Sequence, residues 1–190
     1  MRCLATLLLA IALFLPFAAH GQDKDKKKDD ACEIIYVPTE QDVVEKMLEM
    51  AKVKKDDIVY DLGCGDGRIV CSAAKKYGAK GVGIDIDPDR IRDCMATMKK
   101  FGVTKEQVEI RQGDALKVKD LERATVIALY MLPEFMRKLE PQLKRLKPGT
   151  RIVAHDYRFP ETEPDQVIEF QPAAGGRAKF LYLWTVREKK

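Results

Sequence analysis

Two hydrophobic periods alternate along the chain. Val43, Val44, Met47, Leu48 and Ala51 fall at helical spacing and give one buried face, with Thr39 placed to cap the helix. Residues 58–62 then form a short apolar run, read as a buried strand that ends at Gly63-Cys64-Gly65-Asp66-Gly67. A second helix carries Ile69, Val70, Ala73, Ala74 and Tyr77 inward and stops at Gly78. Residues 80–84 are the next strand. Asp87 caps a third helix, Pro88 suits its first turn, and Ile91, Cys94, Met95 and Met98 form its stripe. Strands follow at 107–111 and 125–130. A helical stretch over 133–146 is expected in two pieces, because Pro141 breaks the ladder. A fifth strand covers 151–155.

The pattern then changes. Residues 166–170 and 179–186 are two strand-like runs with no helical period between them, joined through Gly175-Gly176. That predicts an antiparallel hairpin. The fold class expected is α/β: a Rossmann-like, doubly wound sheet of seven strands, mostly parallel, with a C-terminal antiparallel hairpin.

The first 21 residues stand apart. Met1-Arg2 is followed by an apolar run of 16 residues from Leu4 to Ala19, and Ala19-His20-Gly21 offers small residues before a cut. This is the pattern of a secretory signal peptide, and the run is short for a membrane span of about 20 residues. An exported protein is the expectation. The alternative is an uncleaved anchor: Lys24, Lys26, Lys27 and Lys28 against Arg2 alone would hold the domain in the cytoplasm, associated with the membrane. Residues 22–30 are a charged linker, and residues 31–190 form the domain.

Cleavage after Gly21 leaves 169 of the 190 residues, lowers the net charge from +4 to +3 and leaves His155 as the last histidine. With 46% hydrophobic and 34% charged residues the chain is globular, not disordered. The weak positive balance sets aside an electrostatic nucleic-acid binder. Cys32, Cys64, Cys71 and Cys94 form no CxxC pair, and one histidine completes no common zinc set. Small buried thiols are expected, with no metal, and the domain is expected to be a monomer.

The chemistry gathers at strand ends. In such sheets ligands bind beyond the carboxyl ends of the strands. The glycine loop has GxGxG spacing with Arg68 where a dinucleotide fingerprint wants a third small residue. Asp61 and Asp66 would repel a pyrophosphate there but suit S-adenosylmethionine, which is cationic at its sulfonium and ammonium groups. Asp85 ends the second strand in Gly83-Ile84-Asp85-Ile86, placed to accept ribose hydroxyls. Asp114 follows the third strand, placed to accept the adenine amino group. The candidate cofactor residues are Asp61, Gly63, Cys64, Gly65, Gly67, Asp85, Ile86 and Asp114.

Val59–Gly67, Gly83-Ile84-Asp85 and Gly113-Asp114 resemble the successive cofactor motifs of class I, seven-strand methyltransferases. The resemblance covers about residues 36–186 and implies that Asp61 and the glycines hold the methionine part, Asp85 the ribose and Asp114 the adenine. A finer resemblance lies in Tyr36-Val37-Pro38-Thr39, Asp66-Gly67-Arg68-Ile69-Val70 and Leu129-Tyr130-Met131-Leu132-Pro133. These are similar to small protein-lysine methyltransferases, among them the mitochondrial enzymes acting on the c-type subunit of ATP synthase and the adenine nucleotide carrier. The last segment departs from the Asn/Asp-Pro-Pro-aromatic signature of base amino methyltransferases, so no nucleic-acid partner is expected.

A lysine acceptor must lose a proton, and its free pKa is about 10.4. A desolvated slot beside a sulfonium would lower that value. Tyr36 and Tyr130 are candidates to line the slot. His155 is a candidate general base, or else a hydrogen-bonded strand-end histidine. The alternatives in function are a methyltransferase for a small molecule, such as a quinone or lipid precursor, and a cofactor-binding domain without catalysis.

Overall fold

The computed structural model describes residues 36–188. The leader at 1–21, the linker at 22–30 and Cys32 lie outside the described residues. Among the described residues no helix is long and apolar enough to cross a membrane.

Seven strands form one sheet: β1 (Ile58–Leu62), β2 (Lys80–Asp85), β3 (Val108–Gln112), β4 (Val126–Leu129), β5 (Arg151–His155), β6 (Gln166–Phe170) and β7 (Lys179–Thr185). Their order is β3-β2-β1-β4-β5-β7-β6. The first five are parallel, whereas β7 runs antiparallel to both β5 and β6. The expected sheet and hairpin are both present. Of four α-helices, α1 (Gln41–Met50) precedes β1, while α2 (Arg68–Tyr77), α3 (Pro88–Phe101) and α4 (Pro133–Leu143) connect β1 to β2, β2 to β3 and β4 to β5.

The central strands are apolar on both faces, as a sheet covered on both sides requires. Their two-residue alternation sorts side chains into separate cores. Tyr60, Leu62, Ile127, Leu129, Ile152 and Ala154 join Met136, Leu139 and Leu143 of α4 on one face. Val59, Val126, Ala128 and Val153 join Val43, Val44, Met47 and Leu48 of α1 and Ile69 and Ala73 of α2 on the other. Asp61 and His155 are in step with Val59 and Val153, so both ends project on the α1–α2 face.

Three local expectations are corrected. Thr39 does not cap α1: Glu40 holds that position without a side-chain cap bond, and the Thr39 hydroxyl is spent elsewhere. Pro141 does not divide the helix; α4 runs unbroken from Pro133 to Leu143. Proline sits there in the last turn, where one missing ladder bond is tolerated. Met95 is 43% exposed and leaves the α3 stripe to Cys94 and Met98. Asp87 does cap α3, accepting the Asp89 N–H at 2.7 Å, and Gly78 does close α2 in the left-handed conformation.

Candidate active site

The parallel order reverses between β1 and β4, which opens a crevice at the carboxyl ends of the strands. The glycine loop leaves β1 into this crevice. Gly65 has φ of +55° and the ring of Tyr36 fills the space a Cβ would take, so only glycine fits. At Gly63, φ is +82° and an added Cβ would stand 2.6 Å from the Met131 sulfur.

Asp85 fastens the loop from below. Its Oδ2 accepts the Gly65 N–H at 2.8 Å and its Oδ1 accepts the Asp87 N–H at 3.0 Å. Each oxygen keeps a second lone pair for a ligand hydroxyl. Ile86 beside it is 63% exposed, an apolar surface at the same strand end. Asp114 is half-buried; its Oδ1 accepts the Leu116 N–H at 2.9 Å and its Oδ2 lies 3.2 Å from Lys117. Asp114 therefore caps a 3₁₀ turn, Ala115–Lys117, with its second oxygen on the exposed side.

Asp61 is 2% exposed and its Oδ2 has no hydrogen-bond partner. Burial, with Asp85 and Asp66 adding like charge, pushes its carboxyl up to about 8. A buried carboxyl without a donor is costly, and a cationic group would relieve it.

Two loop residues differ from expectation. Asp66 does not stand free in the cradle: the Arg68 guanidinium grips both of its oxygens, at 2.7–3.1 Å. Burial opposes ionisation of Asp66, yet the Arg68 guanidinium outweighs it and holds the carboxyl below its ordinary value. Cys64 turns its side chain inward, with Sγ 3.8 Å from the Cys94 Sγ, so its backbone alone is available on the loop. A Cβ on Gly83 would meet that sulfur at 2.9 Å. Cys64, Cys71 and Cys94 are free, buried thiols. Among the described residues no group of three His, Cys, Asp or Glu is arranged to hold a metal.

On the β4–β5 side the Tyr130 ring stacks on His155 at 4.0 Å between centroids and on Tyr157 at 6.1 Å. Burial, followed by the Asp156 charge, raises the Tyr130 phenol. His155 is 1% exposed, with Nδ1 3.1 Å from the Thr39 hydroxyl and Nε2 3.4 Å from Asp156 Oδ2. Burial dominates and lowers the ring to about 4, so it is neutral at pH 7. Of the two alternatives for His155, the geometry is that of the bonded strand-end residue behind Tyr130. The structure does not bring Tyr36 onto this stack; Tyr36 lies against Gly65, under the Arg90 guanidinium at 4.5 Å.

Asp156 holds φ of +60° and accepts the Phe180 N–H at 3.1 Å. Arg177 pairs with it, and Lys179 pairs with Glu40 at 3.1 Å. None of Thr39, Glu40, Asp156, Arg177 or Lys179 stands out in the sequence as a site residue. They come from three separate segments, and beyond the place of Thr39 in the Tyr36–Thr39 motif only the adjacency of Asp156 to His155 hints at any of them.

A crossed sheet of this order, with a glycine loop and acids at its carboxyl edge, defines a methyltransferase domain. The chain belongs to the family described as the ANTKMT methyltransferase domain, whose model matches residues 61–166. It is 44% identical to a protein-lysine N-methyltransferase of Saccharolobus islandicus (strain REY15A), over 82% of this chain and 95% of the relative. It is 30% identical to the lysine N-methyltransferase of Xenopus laevis that acts on the c-type subunit of ATP synthase, over 86% of this chain and 68% of that one. Among solved structures, an RNA methyltransferase from Salinibacter ruber in complex with S-adenosyl-L-homocysteine is 44% identical, with a TM-score of 0.73. The match covers 81% of this chain and 96% of that one.

Proposed function

We propose that the protein transfers a methyl group from S-adenosylmethionine to the side-chain amine of a protein lysine. The observation that carries the cofactor is the unpartnered Asp61 oxygen, buried beneath a loop that admits only glycine at Gly65. The fit is chemical: Asp61 would ionise against the cofactor's ammonium, Asp85 would accept ribose hydroxyls, Ile86 would cover the adenine face and Asp114 its amino group. When bound, the cofactor supplies an electrophilic methyl on a sulfonium centre.

The chain's own residues do the rest by holding and drying the site. Tyr130, Tyr157 and neutral His155 make a wall with no positive charge of its own. An amine against this wall loses solvation, which favours its neutral, nucleophilic form. Aromatic faces orient the ammonium before that proton leaves. Alignment of donor and acceptor accounts for most of the rate.

The protein-lysine acceptor is supported by two relatives of that description and by the wall. The Salinibacter ruber structure is described as an RNA methyltransferase, so the acceptor is the part to test. The protein should be incubated with methyl-labelled S-adenosylmethionine and separate membrane-protein, RNA and lipid fractions. Label released as methyl-lysine from hydrolysed protein is expected. Label confined to RNA or to organic extracts would overturn the lysine reading.

A further inference from the structure

Thr39 touches both halves of the site. Its carbonyl accepts Arg68 Nη1 at 2.7 Å, and the same guanidinium grips Asp66 of the glycine loop. Its hydroxyl lies 3.1 Å from His155 Nδ1, and the His155 ring backs Tyr130 at 4.0 Å. Thr39 is 4% exposed and His155 1%, so water does not compete for the bond between them. Tyr36, three residues earlier, lies against Gly65, while Glu40, the next residue, is tied to Lys179 of β7. Residues 36–40 thus form a strap fixed at the loop, at the end of β5 and at the start of β7.

We infer that Thr39 is a positioning residue for methyl transfer, coupling the glycine loop through Arg68 to the His155–Tyr130 wall through its hydroxyl. This rests on the methyltransferase reading above. In-line transfer needs reacting atoms about 3–3.5 Å apart, and an error of about 1 Å costs on the order of 100-fold. A link that moves donor and acceptor sides together guards that distance. Threonine suits the role because one residue offers a carbonyl to one side and a hydroxyl to the other.

Thr39→Val keeps the shape and the carbonyl and loses the hydroxyl, whereas Thr39→Ser keeps both polar groups. Initial rates should be measured with labelled S-adenosylmethionine and a solubilised membrane-protein extract. S-adenosylhomocysteine affinity should be measured by calorimetry. Thr39→Val is expected to lower kcat at least tenfold, with KM for the extract and the calorimetric Kd within about twofold of wild type. Thr39→Ser should recover to within about threefold. A second measurement needs no acceptor: ring-nitrogen NMR of histidine-labelled protein, with His155 assigned from His155→Asn. S-adenosylhomocysteine should shift the His155 signals in wild type and Thr39→Ser but not in Thr39→Val. The inference is overturned by a wild-type kcat in Thr39→Val, by a ligand-induced His155 shift that persists there, or by equal loss of binding in both variants. Wild-type protein that labels no lysine would refute the acceptor, while the His155 shift would still decide the role of Thr39.

Discussion

Asp85 and Gly65 are joined by a 2.8 Å hydrogen bond in which the strand-end carboxylate holds the amide of the tightest glycine in the loop. One side chain therefore both shapes the loop and borders the place proposed for the ribose. Asp85→Ala removes the anchor and the hydroxyl acceptor together. Calorimetry should show S-adenosylmethionine binding weakened at least tenfold, about 1.4 kcal/mol. Asp85→Asn should fall between, because its one amide oxygen replaces two carboxylate oxygens. Unchanged affinity in Asp85→Ala would refute the ribose assignment.

Asp61 makes binding depend on proton release. With its carboxyl pushed up to about 8, it is mostly protonated at pH 7 and must ionise to meet an ammonium. S-adenosylmethionine affinity should rise from pH 6 to 8. Calorimetry in buffers of different ionisation enthalpy should report close to one proton released. Asp61→Asn should bind more weakly and lose both effects.

Asp61 also opposes His155 in the pH dependence of stability. The Asp61 pKa is raised in the fold to about 8, against about 3.9 unfolded. Its contribution is full below about pH 4 and is lost as pH rises through 8. The His155 ring is lowered in the fold to about 4, against about 6.5 unfolded. Its contribution is full above pH 6.5 and is lost as pH falls through 4. Between pH 6.5 and 8 only the first acts, so the Tm of ligand-free protein should fall across that interval. Asp61→Asn should flatten the slope, and a slope that survives in Asp61→Asn would exclude Asp61 as its source.

Gly65→Ala sets a side chain against the Tyr36 ring at a backbone angle alanine resists. The expected loss is about 1–3 kcal/mol in urea unfolding. Tyr36→Ala in the same chain should return the part owed to the ring, with the remainder owed to φ of +55°. Additive effects would mean that ring and loop are not in contact.

The opposite edge of the sheet offers a control. Asp57 is 2% exposed, pairs with Arg151 and accepts the Thr125 hydroxyl at 2.7 Å and the Lys54 N–H at 2.8 Å. Arg151→Met leaves this carboxylate buried and unpaired, at a cost of about 3 kcal/mol. Cofactor affinity should not change, since neither residue approaches the carboxyl edge.

The residues proposed for the donor side are legible in the sequence because their pattern is local. Asp61, the loop glycines, Asp85 and Asp114 each stand at or just past the end of a strand that its own local pattern announces, and strand ends of a parallel sheet share one edge. Asp66 is misread when its charge is counted without its partner: Arg68, two residues on, takes up the carboxylate. Thr39 is misread because a threonine before a helix is ordinarily a cap. Its actual partner is 116 residues away in sequence. Pro141 breaks no helix because its place in the last turn depends on where the helix ends, which periodicity alone does not fix.

The antiparallel entry of β7 has an effect on what can vary. Because β7 runs against β5, Lys179 and His155 reach the same edge from opposite directions along the chain. The proposed wall and its rim are thus assembled from residues 36–40, 130, 155–157 and 177–180, none of which carries the acids of residues 61–114. A change in the proposed acceptor wall therefore leaves the acids proposed for the methyl donor in place, so long as Thr39 and Tyr36, which touch Arg68 and Gly65, are kept.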